Sequence, residues 1–180
     1  MGDVRLLDWW HAAAASEAID WDGVYREQLP HVYNFFRYRI RDRGLAEDLT
    51  SVTFEKAWRA RASYKKDRGG VSTWLLSIAR NVAIDHYRGR PRLEVPLEHD
   101  VAGDETPERA ALQQADGQRL RALLAALPDR EQELLALKYG AGETNRSIAA
   151  VTGLTESNVG TILHRTIAAL RAAWNEGGRA

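Results

Sequence analysis

Apolar residues recur at threes and fours along most of this chain, and no segment alternates with period two for long enough to predict a strand. Trp21, Tyr25, Leu29, Val32, Phe36 and Ile40 predict a first helix, with a kink or a fresh start at Pro30. A second helix is expected from about Leu45 to Arg61. A third, capped by Ser72 or Thr73, carries Leu75, Ile78, Ala79 and Val82 to about Tyr87. Thr106-Pro107-Glu108 reads as another start, with threonine as cap and proline in the first turn. Leu112, Leu120, Leu123, Leu124 and Leu127 continue that helix to Pro128. A further helix runs from Pro128 or Asp129 through Leu134, Leu135 and Leu137 to Gly140. The last two span Thr144 to Thr152 and Thr155 to about Trp174. The expected fold is all-α.

Breaks in the periodicity divide the chain. Residues 1–20 form an alanine-rich extension with paired Trp9 and Trp10, to which the pattern gives no role. Residues 21–92 form a first small helical domain, and residues 107–180 a second. Between them, residues 93–106 carry Pro96, a run of acids and no periodicity, as a linker does.

Composition is that of an ordinary globular protein: 44% hydrophobic and 28% charged over 180 residues. The formal net charge of zero conceals an asymmetry. From Lys56 to Arg92, Lys56, Arg59, Arg61, Lys65, Lys66, Arg68, Arg80, Arg88, Arg90 and Arg92 face only Asp67 and Asp85. The sign then reverses: Glu94, Glu98, Asp100, Asp104, Glu105, Glu108 and Asp116 stand against Arg109 alone. A basic stretch followed by an acidic one suits a nucleic-acid binder better than the sum suggests. The absence of cysteine excludes disulfides and thiolate metal sites, and a cytoplasmic location is expected. Asp8 and His11 break the N-terminal apolar stretch, which does not read as a signal peptide, and no run is long enough for membrane insertion.

The strongest local motif lies between Thr144 and Gly160. Ile148, Ala149 and Val151 belong to a short helix, Gly153 makes the turn, Leu154 plugs the corner, and Thr155 caps a helix whose Val159, Ile162 and Leu163 face inward. Small residues at these offsets let two helices cross closely, as in a helix-turn-helix. The outward residues Glu156, Ser157, Asn158, Thr161 and Arg165 can then reach base edges or phosphates in a major groove. A plain helical hairpin with a solvated polar side is the alternative. His164 and the other histidines lack metal-ligand spacing, so no metal and no cofactor are expected.

The second helix has two apolar sides, with Phe54 and Trp58 nearly opposite Leu49 and Val52. Its residues also carry a resemblance. Ala46-Glu47-Asp48-Leu49-Thr50, Thr53-Phe54-Glu55-Lys56-Ala57-Trp58, Ser72-Thr73-Trp74-Leu75, Ile78-Ala79-Arg80-Asn81 and Asp85-His86-Tyr87-Arg88 resemble region 2 of bacterial sigma factors. Leu127-Pro128-Asp129-Arg130-Glu131, Asn158-Val159-Gly160-Thr161 and Leu163-His164-Arg165 resemble region 4. With these two regions and a short linker, residues 21–174 look like an extracytoplasmic-function (ECF) sigma factor.

That resemblance implies the partners: bacterial core RNA polymerase, promoter DNA and an anti-sigma factor, in a stress-response setting. Region 2 would bind the clamp helices of polymerase and open the −10 element. Region 4 would bind the −35 element and the polymerase flap. Carried onto this chain, the polymerase-facing strip is Asp48, Ser51, Val52 and Glu55, which leaves Phe54 and Trp58 for the core. The family often has glutamine and an acid where this chain has Ser51 and Val52. The −10 surface is Arg80, Asn81, Ile84 and Arg88 with the loop residues Tyr64, Lys65, Lys66 and Arg68. There cations can hold phosphates while an aromatic receives an unstacked base. A solvated basic face is the alternative for Lys65, Lys66 and Arg68. Trp74 fits the core better than a base stack, because Leu75 and Ile78 share its helix. The −35 surface is Arg146 with Glu156, Ser157, Asn158, Thr161 and Arg165. The acidic linker can mimic nucleic acid in the polymerase RNA channel or act as a solvated tether.

Two other classes compete. A free-standing helix-turn-helix regulator would bind duplex DNA without polymerase and would dimerise. A helical enzyme would need a nucleophile–base pair, a phosphate loop or a metal cluster, and none is recognisable, so no catalytic residue is expected.

Overall fold

The computed structural model describes residues 19–40, 42–66, 69–88 and 107–177, the side chains of 107–113 and 177 excepted. Residues 1–18, Asp67, Arg68 and the 93–106 linker lie outside the described residues, and so do Arg90 and Arg92.

Helix α1 (Trp21–Ile40) begins at Asp20, whose carboxylate accepts from the Gly23 amide at 3.0 Å, and it runs through Pro30 without a break. It buries Val32, Phe35, Phe36, Arg39 and Ile40, one stripe at helical spacing. Helix α2 (Arg43–Ala60) is capped by Asp42, which accepts from the Leu45 amide at 2.8 Å. Its buried side includes Thr50 and Thr53. Their hydroxyls donate to the carbonyls of Ala46 and Leu49 at 2.6 and 2.7 Å, so two polar groups enter the core satisfied. A 3-10 turn, Arg61–Ser63, follows.

Helix α3 (Val71–Tyr87) starts two or three residues earlier than the hydroxyl residues suggest. Gly70 is its cap, with no side-chain bond; Ser72 is instead bonded to Glu143, and the Thr73 carbonyl accepts from Ser77. The Ser72 hydroxyl is thus committed to another element, and Thr73 already lies within the first turn, where its carbonyl accepts from a residue of the same helix. Leu75, Leu76, Ala79, Val82 and Ala83 form its buried face.

In the second half, α4 (Pro107–Ala125) begins at the expected proline. Buried Gln132 donates to the carbonyls of Leu127 at 2.7 Å and Ala125 at 3.3 Å, which satisfies the exposed C-terminal end of α4. Helix α5 (Asp129–Leu135) widens into a π turn, Ala136–Gly140, closed by the Ala141 amide donating to the Ala136 carbonyl at 2.9 Å. Helices α6 (Asn145–Thr152) and α7 (Glu156–Gly177) complete the chain.

The second half packs onto the first. The π turn lies on α1 and α6 lies on α3, so Phe35, Leu76, Leu134, Leu137 and Ile148 belong to one continuous buried cluster. Polar contacts stitch the same seam. Buried Arg39 donates to the Asp129 carboxylate at 2.8 Å and its carbonyl at 2.9 Å. Arg80 meets Glu133 at 3.0 Å, and the His31 ring is 2.8 Å from the Ala141 carbonyl. Gly140 makes the approach possible, because a Cβ there would stand 2.8 Å from the Asn34 carbonyl oxygen.

Candidate nucleic-acid and polymerase interface

Helices α6 and α7 form the expected helix-turn-helix. The Thr144 hydroxyl caps α6 by accepting from the Ser147 amide at 3.1 Å. Gly153 ends it at φ +75°, a left-handed conformation that side chains resist, with its amide on the Ala149 carbonyl. The Thr155 hydroxyl accepts from the Asn158 amide at 3.2 Å and starts α7, as the sequence suggests. Ile148, Val151, Val159 and Leu163 are buried between the two helices, and Leu154 packs against them. Gly160 sits where a Cβ would touch the Asn145 side chain at 3.4 Å, so the crossing is close there too.

This packing turns Glu156, Ser157, Asn158, Thr161 and Arg165 together to solvent. Arg146 reaches Glu156 across the turn at 3.4 Å, and both side chains remain mostly exposed. An exposed ion pair is worth little, so Glu156 holds Arg146 only weakly.

The α3 surface is less uniform. Asn81, Ile84 and Arg88 are exposed along one side, whereas Arg80 stands at its edge, half-buried against Glu133. Lys65 and Lys66 are exposed, and Arg68 lies outside the described residues. Tyr64 is not free to receive a base. Its ring packs against Trp21 and Trp74 at centroid separations of 6.2 and 5.3 Å, and its hydroxyl donates to the Gly69 carbonyl at 3.1 Å. Trp21 and Trp74 close the triad at 5.9 Å. Trp74 therefore packs against the core side, as the apolar neighbours on its helix suggest, and Tyr64 anchors the loop that precedes α3.

On α2, Asp48, Ser51, Val52 and Glu55 are all exposed. Phe54 is half-buried, edge-on to Tyr25 at 4.7 Å. The expectation that Trp58 enters the core is corrected: it is 54% exposed, with the Arg61 guanidinium 4.0 Å above its ring. The core seat is taken by Ala57, one residue and about 100° away. Seven residues separate Trp58 from Ser51, two turns that nearly superpose them, so the indole extends the exposed strip. That signal was readable once Ala46, Thr50, Thr53 and Ala57 fixed the inward side.

Two apolar grooves flank these surfaces. One, of about 420 Å³, lies between α1 and α2 beside Ser51 and is lined by Leu29, Pro30, Tyr33 and Thr50. The other, of about 410 Å³, lies between α4 and α7 and is lined by Leu120, Ile167, Leu170 and Trp174. Arg119 braces the second, stacked 4.6 Å from the Trp174 ring. Among the described residues there is no cluster able to hold a metal ion, and no helix is long and apolar enough to cross a membrane.

Comparison with known proteins bears on both halves. Residues 24–93 match the family model for sigma-70 region 2, and residues 117–170 match that for sigma-70 region 4. The chain is 30% identical over 159 residues to the ECF RNA polymerase sigma factor SigM of Bacillus subtilis, covering 87% of this chain and 96% of SigM. It is 29% identical over 170 residues to the ECF sigma factor BldN of Streptomyces coelicolor, and spans 64% of BldN's length against 92% of its own. The fold is shared with the sigma factor RpoE of Bartonella quintana, solved with the anti-sigma factor NepR. The TM-score is 0.69 at 20% identity, over 87% of this chain and 97% of that one.

Proposed function

The chain belongs to the sigma-70 family, in its ECF branch, and on that premise we propose that it binds core RNA polymerase in the cytoplasm and directs initiation at promoters carrying its −35 and −10 elements. The observation that carries this reading is the presence, on one chain and in order, of region 2 and region 4. Residues 21–92 serve as the polymerase-binding and −10 unit, residues 107–180 as the −35 unit, and residues 93–106 tether them. It acts by binding and has no catalytic step of its own.

Asn158, Thr161, Arg165, Ser157, Glu156 and Arg146 read the −35 duplex; their common exposure on α7 and at the α6 start supports this. Asn81, Ile84 and Arg88, with Arg80, Lys65, Lys66 and Arg68, hold the −10 strands. Tyr64 contributes by fixing the loop, given its place among Trp21 and Trp74. Asp48, Ser51, Val52 and Glu55 face polymerase, and Trp58 joins them as an aromatic anchor of the kind that dominates interfaces. The apolar α4–α7 groove receives the flap of polymerase, given its lining of Leu120, Ile167, Leu170 and Trp174. An anti-sigma factor regulates the chain, as NepR partners RpoE on the same fold.

Run-off transcription with purified core polymerase on genomic fragments tests the reading. Discrete transcripts that depend on this chain are expected, without ATP hydrolysis. Failure to initiate on every fragment, combined with tight duplex binding by the chain alone, would favour a free-standing regulator.

A further inference from the structure

Two glutamates of the second half touch α3, the helix assigned to the −10 element. Glu133 receives the Arg80 guanidinium at 3.0 Å through Nε and 3.5 Å through Nη2, and Glu143 bonds the Ser72 hydroxyl. The first pair is largely withdrawn from water, with side-chain exposures of 28% for Arg80 and 10% for Glu133. A carboxylate on an arginine fork presents two oxygens much as a phosphate does. From this geometry we infer that Glu133 is an internal substitute for a DNA phosphate: in the free chain, region 4 occupies Arg80 and masks that edge of the −10 surface. The inference rests on the reading of Arg80 as a −10 contact.

Geometry requires the two halves to separate on a promoter. The −35 and −10 elements are named for positions about 25 base pairs apart, which at about 3.4 Å per pair is roughly 85 Å of duplex. Here α6, which leads into the recognition helix, packs directly on α3, one helix layer or about 10 Å away. Both readers therefore cannot occupy one promoter until the halves part. When they part, Arg80 loses Glu133 and opens to water, where its fork is free to take a DNA phosphate in place of the carboxylate. Tethering on one chain gives Glu133 an effective concentration of roughly millimolar, enough to outcompete dilute DNA until region 4 is held elsewhere.

The chain has no cysteine, so Glu27→Cys and Ala150→Cys, both at exposed sites, place a donor–acceptor dye pair on the two halves of the full-length protein. In the free chain, Glu133→Gln should lower energy transfer, with the closed-to-open ratio falling about tenfold. The same variant should bind a mixed-sequence 12-nucleotide single strand several-fold more tightly, and adding Arg80→Ala should abolish that gain. Unchanged transfer in Glu133→Gln, or a gain that survives the loss of Arg80, overturns the inference. If Glu133→Gln does not fold, the labelled chain with Glu133 intact decides: raising salt from about 0.05 to about 0.5 M should lower transfer by screening the pair, and flat transfer overturns the inference. Initiation with core polymerase is scored separately on the same samples. Its absence overturns the functional reading, while the free-chain transfer alone decides the mask.

Discussion

Trp58 shows how a single side chain can be read in opposite ways by periodicity. Its spacing from Phe54 fits a core face, yet the indole is 54% exposed because Thr50, Thr53 and Ala57 turn the helix so that small residues meet α1 and α3. Large exposed aromatics beside a charged strip are typical anchors of an interface. Trp58→Ala should therefore weaken binding to core polymerase by tenfold or more, while folding stability changes by about 1 kcal/mol at most, the worth of its contact with Arg61. Titration of labelled protein with core polymerase, beside a urea melt, separates the two effects; equal affinity removes Trp58 from the interface. Its neighbours offer a second check. Asp48→Lys combined with Glu55→Lys changes two exposed residues, so the fold should persist while polymerase affinity falls. Unaltered binding to an isolated clamp-helix fragment would move the interface off this strip.

At the scale of the element, the helix-turn-helix was the most legible part of the chain, because each of its signals is local. Gly153 supplies the left-handed turn, Thr155 the cap, and Val159 and Leu163 the inward face, and all act within a few residues of one another. The start of α3 was less legible, since Ser72 is drawn away by Glu143, a residue 71 positions distant. The same cause hid the Arg80–Glu133 pair: periodicity marks a polar edge as outward and carries no information on what folds over it. The turn gives a sharp test. A Cβ at Gly153 meets nothing within 4 Å, so Gly153→Ala isolates the backbone term at φ +75°. The expected loss is about 1–2 kcal/mol, or roughly 2–8 °C in melting temperature for a chain of this size. An unshifted melt would mean that the turn adjusts without strain. The two reading helices can also be separated. Asn158→Ala and Arg165→Ala should impair binding to duplex −35 DNA and spare a pre-formed −10 bubble bound with polymerase, and Arg80→Ala with Asn81→Ala should do the reverse. A good base contact is worth about 1–3 kcal/mol, large enough to resolve by fluorescence binding. Equal losses on both templates from both pairs would end the division of labour.

For the molecule as a whole, the deciding feature is that its two halves share one core. Leu134 and Leu137 are buried with Phe35 and Leu76, and the seam depends on an approach that only glycine permits. At Gly140, a Cβ would lie 2.8 Å from the Asn34 backbone oxygen and 3.1 Å from the Tyr38 ring. The ring can swing away, but the helix backbone cannot, so Gly140→Ala should push the π turn off α1. In doing so it should loosen the Arg39–Asp129 and His31–Ala141 contacts beside it. A shared core unfolds cooperatively, so scanning calorimetry of the unaltered chain should give one transition. Gly140→Ala should give two, or one much broadened, because each half then unfolds on its own. Gly142→Ala is the matched control. Gly142 lies two residues away at φ +73° with nothing within 4 Å of its Cβ, so its replacement strains the turn without wedging the seam. It should lower the midpoint by a few degrees and keep a single transition. If Gly140→Ala also keeps one sharp transition at the original midpoint, the seam does not couple the halves. If both variants split the transition alike, turn strain rather than the close approach at Asn34 is responsible.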